Sequence, residues 1–401
     1  MSRKVFVVGV GMTNFEVPNR RKDFDYPQMV KKSVTAALKD AGLKYEQVEQ
    51  AVAGYIAGDT TSGQRALNQL GMTGIPIYNV SNACASGGAA LYMARNLIAG
   101  GIADCVLSVG FEKNEPSHLE NLLKYPDRKN PWHTTEKFFN DRFEKGDGPI
   151  VPQLFGRAAE EYIEKYQTSP RTLAKIAHKN LKHARGNIRS MVKEEYTLQD
   201  VLDSHVAHGP LTKLQCCPQS DGSAAAILAS EDFVKAFGLE DQAVEIIGMK
   251  LGTDTITEGE ESCLTKLGYQ WAAKCAKDVF EEAGVTPEDV QVIELHDCFS
   301  ISELMHYETL GLCQPGEAEE LVEREDNTYG GKWVINPSGG LEGKGHPYGA
   351  TGVAQCVEIV EQLRGMSGHR QVEDARCGLT HNLGIGGAVV IGIYKRPESL
   401  D

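Results

Sequence analysis

The chain has 401 residues, 41% of them hydrophobic, enough to bury one large core or two medium ones, which excludes a disordered or fibrous chain. Its formal net charge is −14 with no long Lys/Arg block, so a surface for nucleic acid or for an anionic membrane is not indicated. Ten cysteines show neither CxxC pairs nor zinc-type spacing, which points to reduced thiols and to no metal.

The opening "MSRKVFVVGVGMTNF" holds an apolar run of about seven residues, too short for a secretory signal or a membrane span. It reads as a first strand. In "VVGVGMT" (7–13) the third glycine of a dinucleotide fingerprint is replaced by Asn14, so Gly9 and Gly11 read as a glycine turn leaving that strand.

Residues 34–58, "VTAALKDAGLKYEQVEQAVAGYIAG", run as helix, Ala-Gly stop, acidic turn and apolar strand. Residues 276–299, "AKDVFEEAGVTPEDVQVIELHDCF", repeat that plan, with Gly42 matching Gly284 and Val48 matching Val290 at one common offset. The next stretch, "NVSNACASGGAALYMARNLIAGG" (79–101), sets Cys84 among small residues before an amphipathic helix. Its echo is "HPYGATGVAQCVEIVEQLRG" from His346, so Cys84 and His346 hold equivalent places in two halves. At a helix N-terminus Cys84 feels the positive end of the dipole, which favours thiolate. A buried cysteine serving as a small hydrophobe is the other reading of this motif.

The strand at 103–113 is followed by a polar, helix-rich insertion over 114–214, longer than ordinary connections. Within it, "FGRAAEEYIEKY" (155–166) buries Ala158, Ala159 and Tyr162 on one stripe and turns its charges to solvent. His178 and His183 read as surface residues, and Cys216 and Cys217, without a second pair for a metal, as packing or pocket lining. A third echo links "SDGSAAAILASEDF" (220–233) with "IGGAVVIGIYK" (385–395), small-residue turns leading into strands. The expected organisation is an N-terminal half over 1–113 and 215–240, the insertion over 114–214, and a C-terminal half over 241–401. Alternating strands and helices imply an α/β fold with a mainly parallel sheet in each half and reactive groups at strand ends and helix starts.

In "IELHDCFS" (293–300), His296 and Cys298 fall on the same side of an extended chain and can face one cavity. "GKGHPYGATG" (343–352) places His346 before Pro347, which restrains the turn. The "GIGG" of 384–387 can bring backbone N–H groups to a developing oxyanion.

These residues, "NACASGG", "SDGSAAA", "HDCF", "NPSGGLEGKGHPYGATG" and "HNLGIGG", resemble the thiolase superfamily over nearly the whole chain, and within it the SCP2-thiolase branch, the sterol-carrier-protein-linked thiolases. The resemblance implies a five-layered αβαβα fold of two duplicated halves with an inserted loop domain, usually a homodimer. It implies cleavage of 3-ketoacyl-CoA, 2-methyl-branched or sterol-side-chain substrates included, by CoA as co-substrate with no tightly bound cofactor, giving acetyl-CoA or propionyl-CoA and a shortened acyl-CoA. Carried over by motif, Cys84 is the nucleophile and His346 its activating base. His296 stands where many thiolases have an oxyanion-hole asparagine. The backbone N–H groups of Cys84 and Gly386 form a second oxyanion hole. The chain departs from ordinary thiolases at Gly384, where they carry a second cysteine, and Cys298 is the replacement acid and base. Two rival readings are a ketosynthase-like decarboxylative condensing enzyme and a non-catalytic acyl-CoA or lipid carrier. Relatives are commonly peroxisomal, yet the chain ends "KRPESLD" without a Ser-Lys-Leu-type signal, which suggests a sterol carrier domain following in a longer parent, or import with a partner.

Overall fold

Strand β1 (Val5–Met12) is buried along almost its whole length, as an apolar run with little alternation requires, because layers cover both of its faces. The computed structural model describes residues 3–114, 131–255 and 261–397. Part of the expected insertion (115–130) and the last four residues of the "KRPESLD" end lie outside them. Gly9 and Gly11 sit inside β1, not in a turn after it. A Cβ at Gly9 would lie 2.4 Å from Ala37 O and one at Gly11 2.5 Å from Ser33 O. The two glycines let the helix Tyr26–Ala41 press directly onto the strand.

The remaining strands are β2 (Gln50–Gly54), β3 (Ile77–Val80), β4 (Cys105–Glu112), β5 (Val206–His208), β6 (Leu211–Thr212), β7 (Gly222–Ser230), β8 (Val244–Thr253), β9 (Val292–Glu294), β10 (Val334–Ile335), β11 (Cys377–Gly384) and β12 (Ala388–Lys395). Strands β5 and β6 pair by themselves; the other ten run in the order β10-β9-β11-β12-β8-β1-β7-β4-β2-β3. Across the middle, β1 and β8 share only the pairs Phe6↔Glu245 and Val7↔Val244. On each side of this seam the same plan appears, β3-β2-β4-β7-β1 and β10-β9-β11-β12-β8. The sequence echoes are therefore a duplicated topology.

Each half-sheet is mixed, where a mainly parallel one was expected. Strands β2 and β4, like β9 and β11, are parallel, whereas β4 with β7 and β11 with β12 are antiparallel. The reason is local in the second half: residues 385–387 join β11 to β12, and so short a link permits only a hairpin.

Outer helices Tyr26–Ala41 and Tyr269–Ala283 stop at the matched glycines, Gly42 at φ 68° and Gly284 at φ 66°, both left-handed. Inner helices Ser86–Ala99 and Tyr348–Leu363 lie against each other between the half-sheets, giving five layers. Their contact depends on glycine, since a Cβ at Gly352 would sit 2.2 Å from Gly88 N.

The inserted helices settle on the C-terminal half. Phe155, from the helix Ile150–Tyr166, stacks on Phe299 at 4.5 Å between ring centroids, and Ala158, Ala159 and Tyr162 of that helix are fully buried. The helix Pro170–Arg185 is not an exposed one. His183 is buried, with Nδ1 3.0 Å from Asn336 O and Nε2 2.9 Å from Thr328 Oγ1, while His178 is half-buried.

Candidate active site

Cys84 lies between the end of β3 and the first turn of the inner helix Ser86–Ala99. Ala83 before it is left-handed at φ 48°, a conformation that costs a non-glycine residue roughly 1–2 kcal/mol and is held here by its surroundings. Ser86 closes the turn: its hydroxyl donates to Ala83 O at 2.6 Å and accepts from Asn82 N at 2.9 Å. The equivalent inner helix starts just after His346, whose backbone N donates to Ser220 Oγ at 2.8 Å. His296 and Cys298 follow β9 not as the expected extended segment but through a tight turn, in which Asp297 N donates to Leu295 O at 3.2 Å and Cys298 sits at a bend; both still reach one cavity, while Asp297 is held elsewhere. Its carboxylate accepts from Leu341 N at 2.7 Å and from Asn180 Nδ2 at 3.0 Å.

These segments converge on a cavity of 220 Å³ lined by Cys84, His296, Cys298 and His346, with Phe299, Tyr348 and Ile385 among its other walls. Cys216 and Cys217 line it as well, as pocket residues. Gly386 does not line it; Ile385 occupies that wall. Cys84 Sγ and one ring nitrogen from each of His296 and His346 lie within 4.8 Å of one another. One thiol with two imidazoles is the donor set of a zinc-type ion, and equally that of a nucleophile with a base and a hydrogen-bond donor. The two rings meet edge-on at 4.9 Å, and Tyr348 packs edge-on against His346 at the same distance.

Burial sets the protonation states. It holds His346 down to about 3 and pushes His296 well below the usual imidazole value, helped by the neighbouring His346 and His381, so both rings are neutral at pH 7. It also pushes Cys84 up to about 12, with the charge of Glu112 adding to the rise. The backbone N–H groups of Cys84 and Ile385 pull the other way but lose to desolvation. Desolvation thus opposes the thiolate that the helix start was expected to favour, which gives a neighbouring base a part in taking the Cys84 proton. Cys298 is raised by burial too, with Cys84 next.

His346 is suited to take that proton. Thr351 Oγ1 lies 2.7 Å from His346 Nδ1 and its hydroxyl donates back to Pro347 O at 3.0 Å. With its hydrogen used there, Thr351 offers Nδ1–H a lone pair, which leaves the lone pair of the ring on Nε2. That nitrogen has no hydrogen-bond partner among the described residues. Sequence reasoning missed Thr351, whose signal was its place one turn into the helix after the Gly-His-Pro motif.

Comparison with known proteins bears on this geometry. The family model described as "Thiolase, N-terminal domain" matches residues 5–232, and "Thiolase C-terminal domain-like" matches residues 255–393. Sterol carrier protein 2 of Gallus gallus is 52% identical over 98% of this chain and 72% of its own length. An acetyl-CoA acetyltransferase of Methanothermobacter thermautotrophicus is 32% identical over 98% of this chain and 100% of its own. Among solved structures, an Ltp2-ChsH2(DUF35) aldolase superposes with a TM-score of 0.82 at 22% identity, over 99% of this chain and 98% of the other, a likeness of fold.

Proposed function

The chain belongs to the thiolase family and is an acyltransferase of it, and from that premise we propose that it is a 3-ketoacyl-CoA thiolase working through a Cys84 acyl-enzyme. The observation that carries the reading is the gathering of Cys84, His296, Cys298 and His346 on one cavity.

In this mechanism His346 Nε2 takes the Cys84 proton as the sulfur attacks the 3-keto carbon. The C2–C3 bond then breaks. Its electron pair passes to C2 of the departing acetyl-CoA or propionyl-CoA, which is protonated by the Cys298 thiol. The Cys298 thiolate next takes the proton of incoming CoA, whose sulfur attacks the Cys84 thioester; Cys84 leaves and recovers its proton from His346. Cys298 separates this reading from a decarboxylating condensing enzyme, which generates its carbanion without a second proton shuttle. The cavity is below the usual range of about 300–1,000 Å³ for a ligand site. It therefore receives the reacting end of the substrate, with most of the CoA outside.

The test is CoA-dependent loss of 3-ketoacyl-CoA absorbance in the wild type, Cys84→Ala and Cys298→Ala, with intact-protein mass spectrometry. Wild-type cleavage is expected, with Cys84→Ala inactive. Cys298→Ala should be slowed about a hundredfold to ten-thousandfold, the usual worth of general acid–base help, and should carry an acyl adduct. Acyl-CoA binding by the wild type without turnover or adduct would favour the carrier reading, and turnover of a malonyl thioester the condensing one. A homodimer and a peroxisomal location belong to the same proposal; a monomer in sedimentation, or a cytosolic fluorescent fusion, would remove them.

A further inference from the structure

The cavity holds two neutral imidazoles that must act differently, one accepting a proton and one donating a hydrogen bond, and a ring nitrogen's role is set by the partner of the other nitrogen. For His296 that partner is Asn382, a buried residue on β11. Asn382 Oδ1 is 3.1 Å from Gly88 N, while Nδ2 is 3.0 Å from Cys84 O and 3.3 Å from His296 Nδ1.

The orientation of the amide follows from its neighbours. Gly88 N–H can only donate and the Cys84 carbonyl can only accept, so the oxygen of Asn382 must face the first and its nitrogen the second. A reversed amide would lose both bonds. The second N–H then meets His296 Nδ1, which must accept it, and the ring proton is left on Nε2. The amide cannot swing away, because the inner helices close around it. A Cβ at Gly352 would lie 2.3 Å from Asn382 Oδ1, and one at Gly88 3.0 Å. Glycine at both positions makes the slot that the side chain fills.

We propose that Asn382 is a positioning residue that fixes His296 as the Nε2–H tautomer, so that this ring presents a hydrogen-bond donor to the cavity while His346 presents a lone pair. The same amide ties the carbonyl of Cys84 to the first turn of its helix, so one side chain holds the nucleophile and the donor in register. The catalytic consequence rests on the thiolase reading above; the tautomer itself does not.

The test has two parts. Long-range proton–nitrogen spectra of the protein labelled with 15N-histidine, with His296→Gln used to assign the ring, should show wild-type His296 protonated on Nε2 alone. Asn382→Ala should give a mixture of tautomers. Asn382→Asp, which fills the slot and as a carboxylate accepts without donating, should place a proton on Nδ1 in spectra taken above the pH at which that carboxyl ionises; it also serves should the alanine variant fail to fold. In turnover, Asn382→Ala should lower kcat by about tenfold to a hundredfold, less than the roughly hundredfold to thousandfold expected for losing an oxyanion donor in His296→Ala. KM should change by less than about threefold. Added to His296→Ala, the Asn382→Ala change should cost clearly less than it does alone, because the part of its effect that runs through the ring is gone and only its hold on the Cys84 carbonyl remains. A His296 that keeps Nε2–H in both Asn382 variants, or Asn382→Ala multiplying undiminished onto His296→Ala, overturns the proposal. Should the wild type cleave no 3-ketoacyl-CoA, the thiolase reading falls and the spectra alone decide the tautomer.

Discussion

Gly384 bears on where, in the proposed mechanism, a second thiol can stand. Ordinary thiolases, by the resemblance, carry their second cysteine there. In this chain a Cβ at that position would lie 2.3 Å from Asn82 O and 3.0 Å from Ala85 N, backbone atoms of the turn that holds Cys84. Gly384→Ala should therefore push the nucleophile's turn out of place, costing about 1–3 kcal/mol of stability as overpacking does and lowering kcat. Gly384→Cys should not rescue Cys298→Ala, and thiolysis restored in that double variant would show that the turn yields. That these four side chains would share one cavity was legible because each sits in a local signal: a small-residue turn before a helix for Cys84 and His346, and the end of an apolar strand for His296 and Cys298, although the chain there turns where alternation was expected. Asn382 and Thr351 were not, since their roles come from partners. Asn382 stood in the quoted "HNLGIGG", but nothing local couples it to Gly88, Cys84 and His296, which only the folded chain brings within reach.

At the level of elements, the helix Pro170–Arg185 is where sequence reasoning and fold part. Its run of Lys, His and Arg reads as a solvated face, yet the helix is wedged against the C-terminal half, and Lys179, Asn180 and His183 are buried. Lys179 Nζ pairs with Glu303 and donates to Ile335 O at 3.1 Å, while Asn180 Nδ2 reaches Glu303 Oε2 at 2.7 Å and Asp297 Oδ2 at 3.0 Å. A polar stripe that finds its partners inside cannot be told from one facing water by periodicity alone. The outer helices were legible because their glycine stops repeat. Removing one member of the buried pair has a predictable result: Lys179→Met leaves Glu303 without its cation and should destabilise the protein by about 3–5 kcal/mol. The exposed pair Lys137–Asp141 supplies the control, where Lys137→Met should change stability by less than about 1 kcal/mol. Denaturant midpoints of the two variants make the comparison, and equal midpoints would mean that the buried pair adds nothing.

Across the whole molecule, so much ionisable chemistry is enclosed that stability must depend on pH in two opposed ways. Five buried imidazoles, His183, His296, His306, His346 and His381, are held below their ordinary 6.5, three of them down to about 3. Below 6.5 the unfolded chain takes up protons that the folded one refuses, so stability rises with pH through that window. Four buried carboxyls act in the other sense: Glu112 is raised to about 7 and Glu342 to about 8, and Glu294 and Asp297 are raised as well, burial being the first cause in each. From 4.5 upward the unfolded chain releases these protons while the folded one keeps them, so their contribution to stability falls with pH until each folded value is passed. Between 4.5 and 6.5 the imidazoles outnumber the carboxyls and the net slope is upward. From 6.5 to 8 only the carboxyls still titrate and the slope turns down. Thermal unfolding followed from pH 4 to pH 9 should therefore pass through a maximum around pH 6 to 6.5, where the half-titrated imidazoles of the unfolded chain cease to outweigh the carboxyls. A melting temperature still climbing from pH 6.5 to pH 8 would mean that the enclosed carboxyls ionise without cost, against the desolvation that raises all four.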